Sequence, residues 1–253
     1  MSDLDRVIDA HGGRERWQGM SRLLATLSLG GMEFVAHFQP RPFREVEVTL
    51  DPRAFRVTCT PFPNPGCVGV FDPQRVRLED EDGGALEERA APARIARSLR
   101  HWFLWDSLDV LYVSGMTLWH SLLLPLILAR SGVACEPLGP VTTDAGRWQR
   151  YDVRFPADLP LPAAQQTLYT DGAGVIRRVD YAPVTYGSVM RVAQLLEGHE
   201  SVDGRIIATR QTLHPCLPGG YVVRASRLAW LEASDLRVVA DAPGGAESER
   251  APS

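Results

Sequence analysis

The sequence predicts an α+β fold in which one large curved antiparallel β-sheet wraps a central apolar helical segment. Three observations predict it. Residues 110–129 carry no charged side chain, and no other stretch is as apolar. On both sides of that run the chain breaks into short segments of period-two alternation, punctuated by glycine, proline and aspartate turn signals. The resulting order, helices then strands, helices then strands, does not fit alternating βαβ units. With 253 residues, 45% hydrophobic and 23% charged, the chain is long enough for one β-rich domain with a substantial core. We expect residues 1–239 to form it, with helices at about 3–20 and 106–128 packed on the sheet, and 240–253 to be a disordered tail rich in Pro, Gly and small polar residues.

Residues 2–11 read as a helix. Ser2 can cap it with Asp5 as reciprocal partner, and Leu4, Val7 and Ile8 make its apolar stripe. Gly12 and Gly13 end it, and Trp17 anchors a short second turn. The period then changes to two, with Leu23, Ala25, Leu27 and Leu29 on one face. Gly30-Gly31 reads as a hairpin turn with 32–38 as the returning strand. Further strands are expected at 43–50, 54–60, 68–71, 75–79 and 85–89. Residues 61–66 hold three prolines and cannot join a ladder. The acidic run 79–82 before Gly83-Gly84 reads as a solvated hairpin tip. After the central run, strands are expected at 133–138, 147–155, 165–170, 175–181, 187–197, 205–213 and 221–232.

The central run has the length of a membrane span. Ser114, Gly115, Thr117, His120, Ser121 and Pro125 interrupt it, and Gly115 and Pro125 suggest two short helices, about 106–114 and 116–124. No stable membrane insertion is therefore expected. On the second helix Met116, Trp119, Leu123 and Leu126 share a face, and Ser114, Thr117 and Ser121 form a hydroxyl stripe opposite, with His120 on its flank. Such hydroxyls either face a cavity or bond back to their own helix. His120 is the titratable group of the run, so it is the candidate for proton transfer.

Composition and motif searches exclude several chemistries. The 27 Lys/Arg positions are all arginine, which removes Schiff-base, pyridoxal-phosphate and P-loop lysine mechanisms. A net charge of −4 disfavours nucleic acid as a partner. The histidines at 11, 37, 101, 120, 199 and 214 show no metal-binding spacing, and neither a G-x-S-x-G elbow nor a dinucleotide fingerprint occurs. No metal and no cofactor are expected. Four cysteines without a C-x-x-C pair, after a polar and acidic N-terminus, point to reduced thiols and a cytoplasmic location. Arg178 and Asp180 sit two apart on one strand, a costly pair if it faces inward.

Several short motifs make the chain resemble an actinobacterial family with no established activity. They are the Asp9-Ala10-His11-Gly12-Gly13 opening followed by Trp17, then Trp105, Asp106, Leu108, Tyr112, Gly115, Trp119 and Pro125 through the central run, then Phe155-Pro156, Gln166 with Tyr169, and Arg178, Asp180 and Tyr181. The plan of that family resembles the half-barrel of bacterial lipoprotein carriers, in which a curved sheet wraps helices around an apolar, acyl-binding cavity. This chain departs from it in having Leu161, Pro162, Ala163 and Ala164 where relatives carry Thr-His-Ser before the glutamine, and Val179 where they carry histidine. The resemblance implies a more apolar cavity here.

The leading expectation is thus a soluble half-barrel holding an acyl, polyketide or isoprenoid-like molecule between sheet and helices, with Tyr112, Met116, Trp119, His120, Tyr169, Arg178 and Tyr181 as ligand-binding residues. The alternative is a cofactor-independent cyclase or isomerase of secondary metabolism, with His120 and Asp180 as catalytic groups. Both need space beside Trp119. A filled interior would leave a structural or interaction protein. The sequence specifies no oligomeric state.

Overall fold

The computed structural model describes residues 2–40, 42–95, 100, 103–184 and 190–240. Residues 241–253 of the expected tail, the histidine at 101, and 187–189 of an expected strand lie outside these.

One sheet of 14 strands organises the molecule, and every pairing in it is antiparallel. The first meander runs through β1 (Met20–Gly30), β2 (Phe43–Asp51), β3 (Arg56–Thr60), β4 (Cys67–Asp72), β5 (Arg75–Asp80) and β6 (Ala85–Ala90). The second runs through β7 (Ala134–Thr143), β8 (Gly146–Arg154), β9 (Gln165–Thr170), β10 (Ile176–Tyr181), β11 (Val192–Val202) and β12 (Arg205–Leu217). The short β13 (Tyr221–Val222) pairs with β12, and β14 (Ala229–Ala240) inserts between β12 and β1, welding the two meanders. The sheet stays open, with β6 and β7 at its edges.

Helices α1 (Asp3–Ala10) and α2 (Arg14–Gln18) precede the sheet, α3 (Met32–Ala36) follows β1, and α4 (Pro92–Ile95) leads into α5 (Ser107–Leu128). This last helix joins the two edge strands. Its 22 residues span about 33 Å. Gly115 packs on Phe71 of β4, and five residues later His120 meets Gln166 of β9. Those strands are eight places apart in the sheet, about 38 Å if it were flat. The sheet must therefore curl around the helix. From Leu108 to Leu128 every residue of α5 except Thr117 is buried, as a helix apolar on all sides demands.

Much of the expected pattern is present. The Ser2/Asp5 capping box forms, and Leu23, Ala25, Leu27 and Leu29 face the core. In β2 a bulge at Glu45, whose φ is 50°, lets Phe43 join Val46, Val48 and Leu50 on the buried face.

Three expectations are corrected. Residues 32–36 are helical, not a returning strand: Phe34 is the buried member, Met32 and Val35 are exposed, and Gly31 turns the chain at φ 140°. The expected strand at 221–232 is two, because 223–228 loops out and the true strand runs to Ala240. Most consequentially, the central run is one helix and not two. A Cβ at Gly115 would stand 2.4 Å from the Phe71 ring, so the glycine is there for close packing and does not break the helix. Pro125 removes the donor that would satisfy the Ser121 carbonyl, and the Gln211 side-chain amide donates to that carbonyl at 3.3 Å. The sheet repairs what the proline deletes.

A polar floor beneath the central helix

The N-terminus of α5 is fixed by charge. Asp106 caps it and exchanges backbone hydrogen bonds with Asp109. Arg89 of β6 donates to both carboxylates at 2.6–3.0 Å, and Arg100 donates to both as well. Burial alone would raise the Asp106 carboxyl, but the Arg89 hydrogen bonds and the Asp109 backbone amide outweigh it and hold the group below the usual carboxylate range.

Further along, α5 shows different chemistry to the two meanders. Toward the first it is apolar. Trp119 is fully buried, its ring 4.7 Å from Phe55, with the Arg130 guanidinium over both rings. Tyr112 lies against Phe71, and Met116 is buried in the same core.

Toward the second meander the floor is polar. Gln166 of β9, Gln194 of β11 and Gln211 of β12 are buried beneath the helix, with Tyr181 of β10 between them. Gln194 donates to Ser121 Oγ at 2.7 Å and to Gln211 Oε1 at 2.5 Å, while its own Oε1 accepts from the Tyr181 hydroxyl at 3.3 Å. Gln166 donates to the Ala163 carbonyl at 3.0 Å, which turns its Oε1 toward His120 Nε2 at 2.9 Å. That network assigns the proton of His120 to Nε2. Nδ1 then carries the lone pair, and it has no partner among the described residues. Burial drives the His120 pKa down to about 4, with the Gln166 bond opposing, so the imidazole is neutral at pH 7. Burial also raises the Tyr181 hydroxyl, to which the charge of Glu33 adds.

The hydroxyl stripe divides three ways. Thr117 bonds back to the Val113 carbonyl at 2.8 Å, Ser121 accepts from the floor, and buried Ser114 has no partner among the described residues. Beside Thr117 and Ser121, over Gln194 and Gln211, lies a cavity of about 30 Å³, room for a water molecule or two. Half-buried Trp230 lies over Gly30 at the rim and lines this cavity. It also lines an outer cleft of about 610 Å³ bounded by Met32, His214, Arg224 and Arg227.

The remaining predicted residues form a second cluster. Tyr181 meets the helix, its ring 5.8 Å from His120, so by strand alternation Arg178 and Asp180 face away from it. There Arg178 pairs with Asp180 at 2.6 and 2.7 Å and donates to the Gly220 carbonyl at 2.7 Å. Tyr169 donates to Asp180 at 3.0 Å, under the Arg178 guanidinium, and Cys216 Sγ lies 3.6 Å from the same carboxylate. Burial and the Asp180 charge push the Tyr169 hydroxyl up to about 12. His120 and Tyr181 are thus brought together, whereas Tyr169, Arg178 and Asp180 sit on the opposite face of the sheet. Tyr112, Met116 and Trp119 pack into the first meander, so the space expected beside Trp119 is filled by Phe55 and Arg130, and the cavity lies instead beside Thr117 and Ser121. The three glutamines were not singled out as site residues. Their signal was present: each takes a turn in the alternation where an apolar side chain belongs, as Gln194 does between Val192 and Leu196.

The fold has solved counterparts. A LolA superfamily protein from Nitrosomonas europaea superposes with a TM-score of 0.51 at 9% identity, covering 95% of this chain and 93% of that one. A domain assigned to outer-membrane lipoprotein sorting from Vibrio parahaemolyticus gives 0.51 at 11% identity, over 93% and 91%. At these identities the likeness is one of fold. No protein-family model matches the sequence, and no curated protein sequence matches it.

Proposed function

We propose that the protein holds an acyl, polyketide or isoprenoid-like chain between the sheet and α5, taken up past Trp230, and that the packed arrangement described here is its ligand-free state. A space of about 30 Å³ holds water and not a lipid chain, so uptake requires Trp230 and α3 to move from the rim. One observation carries the reading. The interior cavity and a cleft large enough for a small molecule share Trp230 as a wall. The polar floor gives such a ligand's head group hydrogen-bonding partners that an ordinary core lacks. Likeness of fold to lipoprotein-sorting proteins supports the same reading.

The test is titration of an 11-carbon dansylated fatty acid. We expect saturable binding at one site, with Trp230→Ala speeding association. Linear, unsaturable partitioning would exclude the reading. The enzymatic alternative is favoured by the Nδ1 of His120, a base with no partner among the described residues. It requires turnover of a bound apolar substrate that His120→Ala abolishes while binding persists.

A further inference from the structure

Large apolar side chains are exposed at one rim of the molecule. Helix α3 turns Phe34 into the core and leaves Met32 and Val35 in solvent, and Phe38 just beyond it is 74% exposed. Residues 37–39 dock on the segment leading into α5: the His37 ring stacks on Trp105 at 4.1 Å, and Gln39 donates to the Trp105 carbonyl at 2.8 Å. That contact brings the segment carrying Phe38 against the one carrying Phe103, which is 72% exposed, and Leu104. Five exposed large apolar residues thus lie on two segments in contact, where isolated ones are the norm.

Charge separates this surface from a casual patch. Phe38 takes the left-handed position that closes α3, its amide donating to the Val35 carbonyl at 3.1 Å and that of Gln39 to the Phe34 carbonyl at 2.7 Å, and its ring is left in solvent. The flank of the patch is cationic. Arg224 and Arg227 are exposed and bound the cleft that Met32 also lines, and neither pairs with a carboxylate among the described residues. Exposed Glu197 also lines that cleft, and the two arginines outnumber it there. Aromatic and aliphatic side chains projecting beside unpaired arginines match the chemistry of an anionic bilayer surface, whose interior takes the rings and whose head groups take the guanidinium ions.

We propose that this rim docks the protein peripherally on an anionic lipid surface, with Met32, Val35, Phe38, Phe103 and Leu104 entering the head-group layer and Arg224 and Arg227 pairing with lipid phosphates. The proposal goes beyond ligand holding and is read without any ligand. The experiment is sedimentation of the full chain with vesicles of phosphatidylcholine alone or mixed equally with phosphatidylglycerol. Wild type should sediment with the mixed vesicles and stay in solution with the neutral ones. Phe38→Ser/Phe103→Ser should weaken partitioning by at least about tenfold, and Arg224→Ala/Arg227→Ala by about tenfold with a reduced salt dependence. Leu86→Ser, an exposed residue on the edge strand β6, should bind as wild type does. Should the phenylalanine pair unfold, Met32→Gln/Val35→Gln takes its place with the same expectation. Wild type left in solution with mixed vesicles overturns the proposal. So does equal binding by the rim variants, or a dimer that Phe38→Ser/Phe103→Ser dissociates in a protein that binds no vesicles.

Discussion

His120 is a neutral base in a fully buried site, and its titration is coupled to stability. Its folded pKa is lowered to about 4 from an ordinary 6.5. The folded protein therefore binds fewer protons than the unfolded chain between those values, and stability must rise with pH across them. The contribution is complete above pH 6.5 and is lost as pH falls toward 4, a swing on the order of 3 kcal/mol. His11, lowered to about 4 chiefly by burial, acts in the same direction. Denaturant titrations should show a shallower stability slope between pH 6.5 and 4 in His120→Asn than in wild type. An unchanged slope would mean that the imidazole protonates freely and that the floor is open to water. The three glutamines illustrate what could be read at this scale. An amide in the buried phase of an alternating strand is legible in the sequence, whereas its partners on a distant helix are not.

At the scale of elements, the instructive case is α5. Local rules read a break at Gly115 and another at Pro125, and both were overridden by tertiary partners. Phe71 fills the space that a side chain at 115 would need, and Gln211 supplies the donor that Pro125 lacks. The second repair makes a prediction. Gln211→Leu leaves the Ser121 carbonyl without its donor and should destabilise by about 1–3 kcal/mol. In a Pro125→Ala background the helix itself can satisfy that carbonyl, so the same change should cost about 1 kcal/mol less. Additive effects in the double-mutant cycle would show that Gln211 acts through its bonds with Gln194 and Ala208 and not through the Ser121 carbonyl. Elsewhere the strand pattern was readable because one face is buried and the period is strict. It failed at 32–36, where an alternating run is too short to separate a helical turn from a strand, and at 223–228, where apolar residues belong to a loop. The site residues divided for a related reason. Strand alternation placed Arg178 and Asp180 together, but which face of the sheet they occupy depends on how it curls, and no local pattern carries that.

For the whole molecule, the architecture is a single open sheet curled around one helix that links its two edge strands. α5 is long and apolar enough to cross a membrane by length and composition, yet 94% of its most apolar window is buried inside the fold. What distinguishes it from a mere plug is asymmetry, apolar packing toward one meander and a hydrogen-bonded polar floor toward the other. The central claim is that an apolar chain lodges over that floor. Photo-crosslinking with a diazirine-bearing fatty acid, mapped by peptide mass spectrometry, tests it most directly. The account predicts adducts on the residues around the inner cavity, such as Leu29, Thr117, Leu213 and Trp230, competed away by unlabelled fatty acid. Adducts confined to the outer surface, or labelling that excess fatty acid does not reduce, would contradict it.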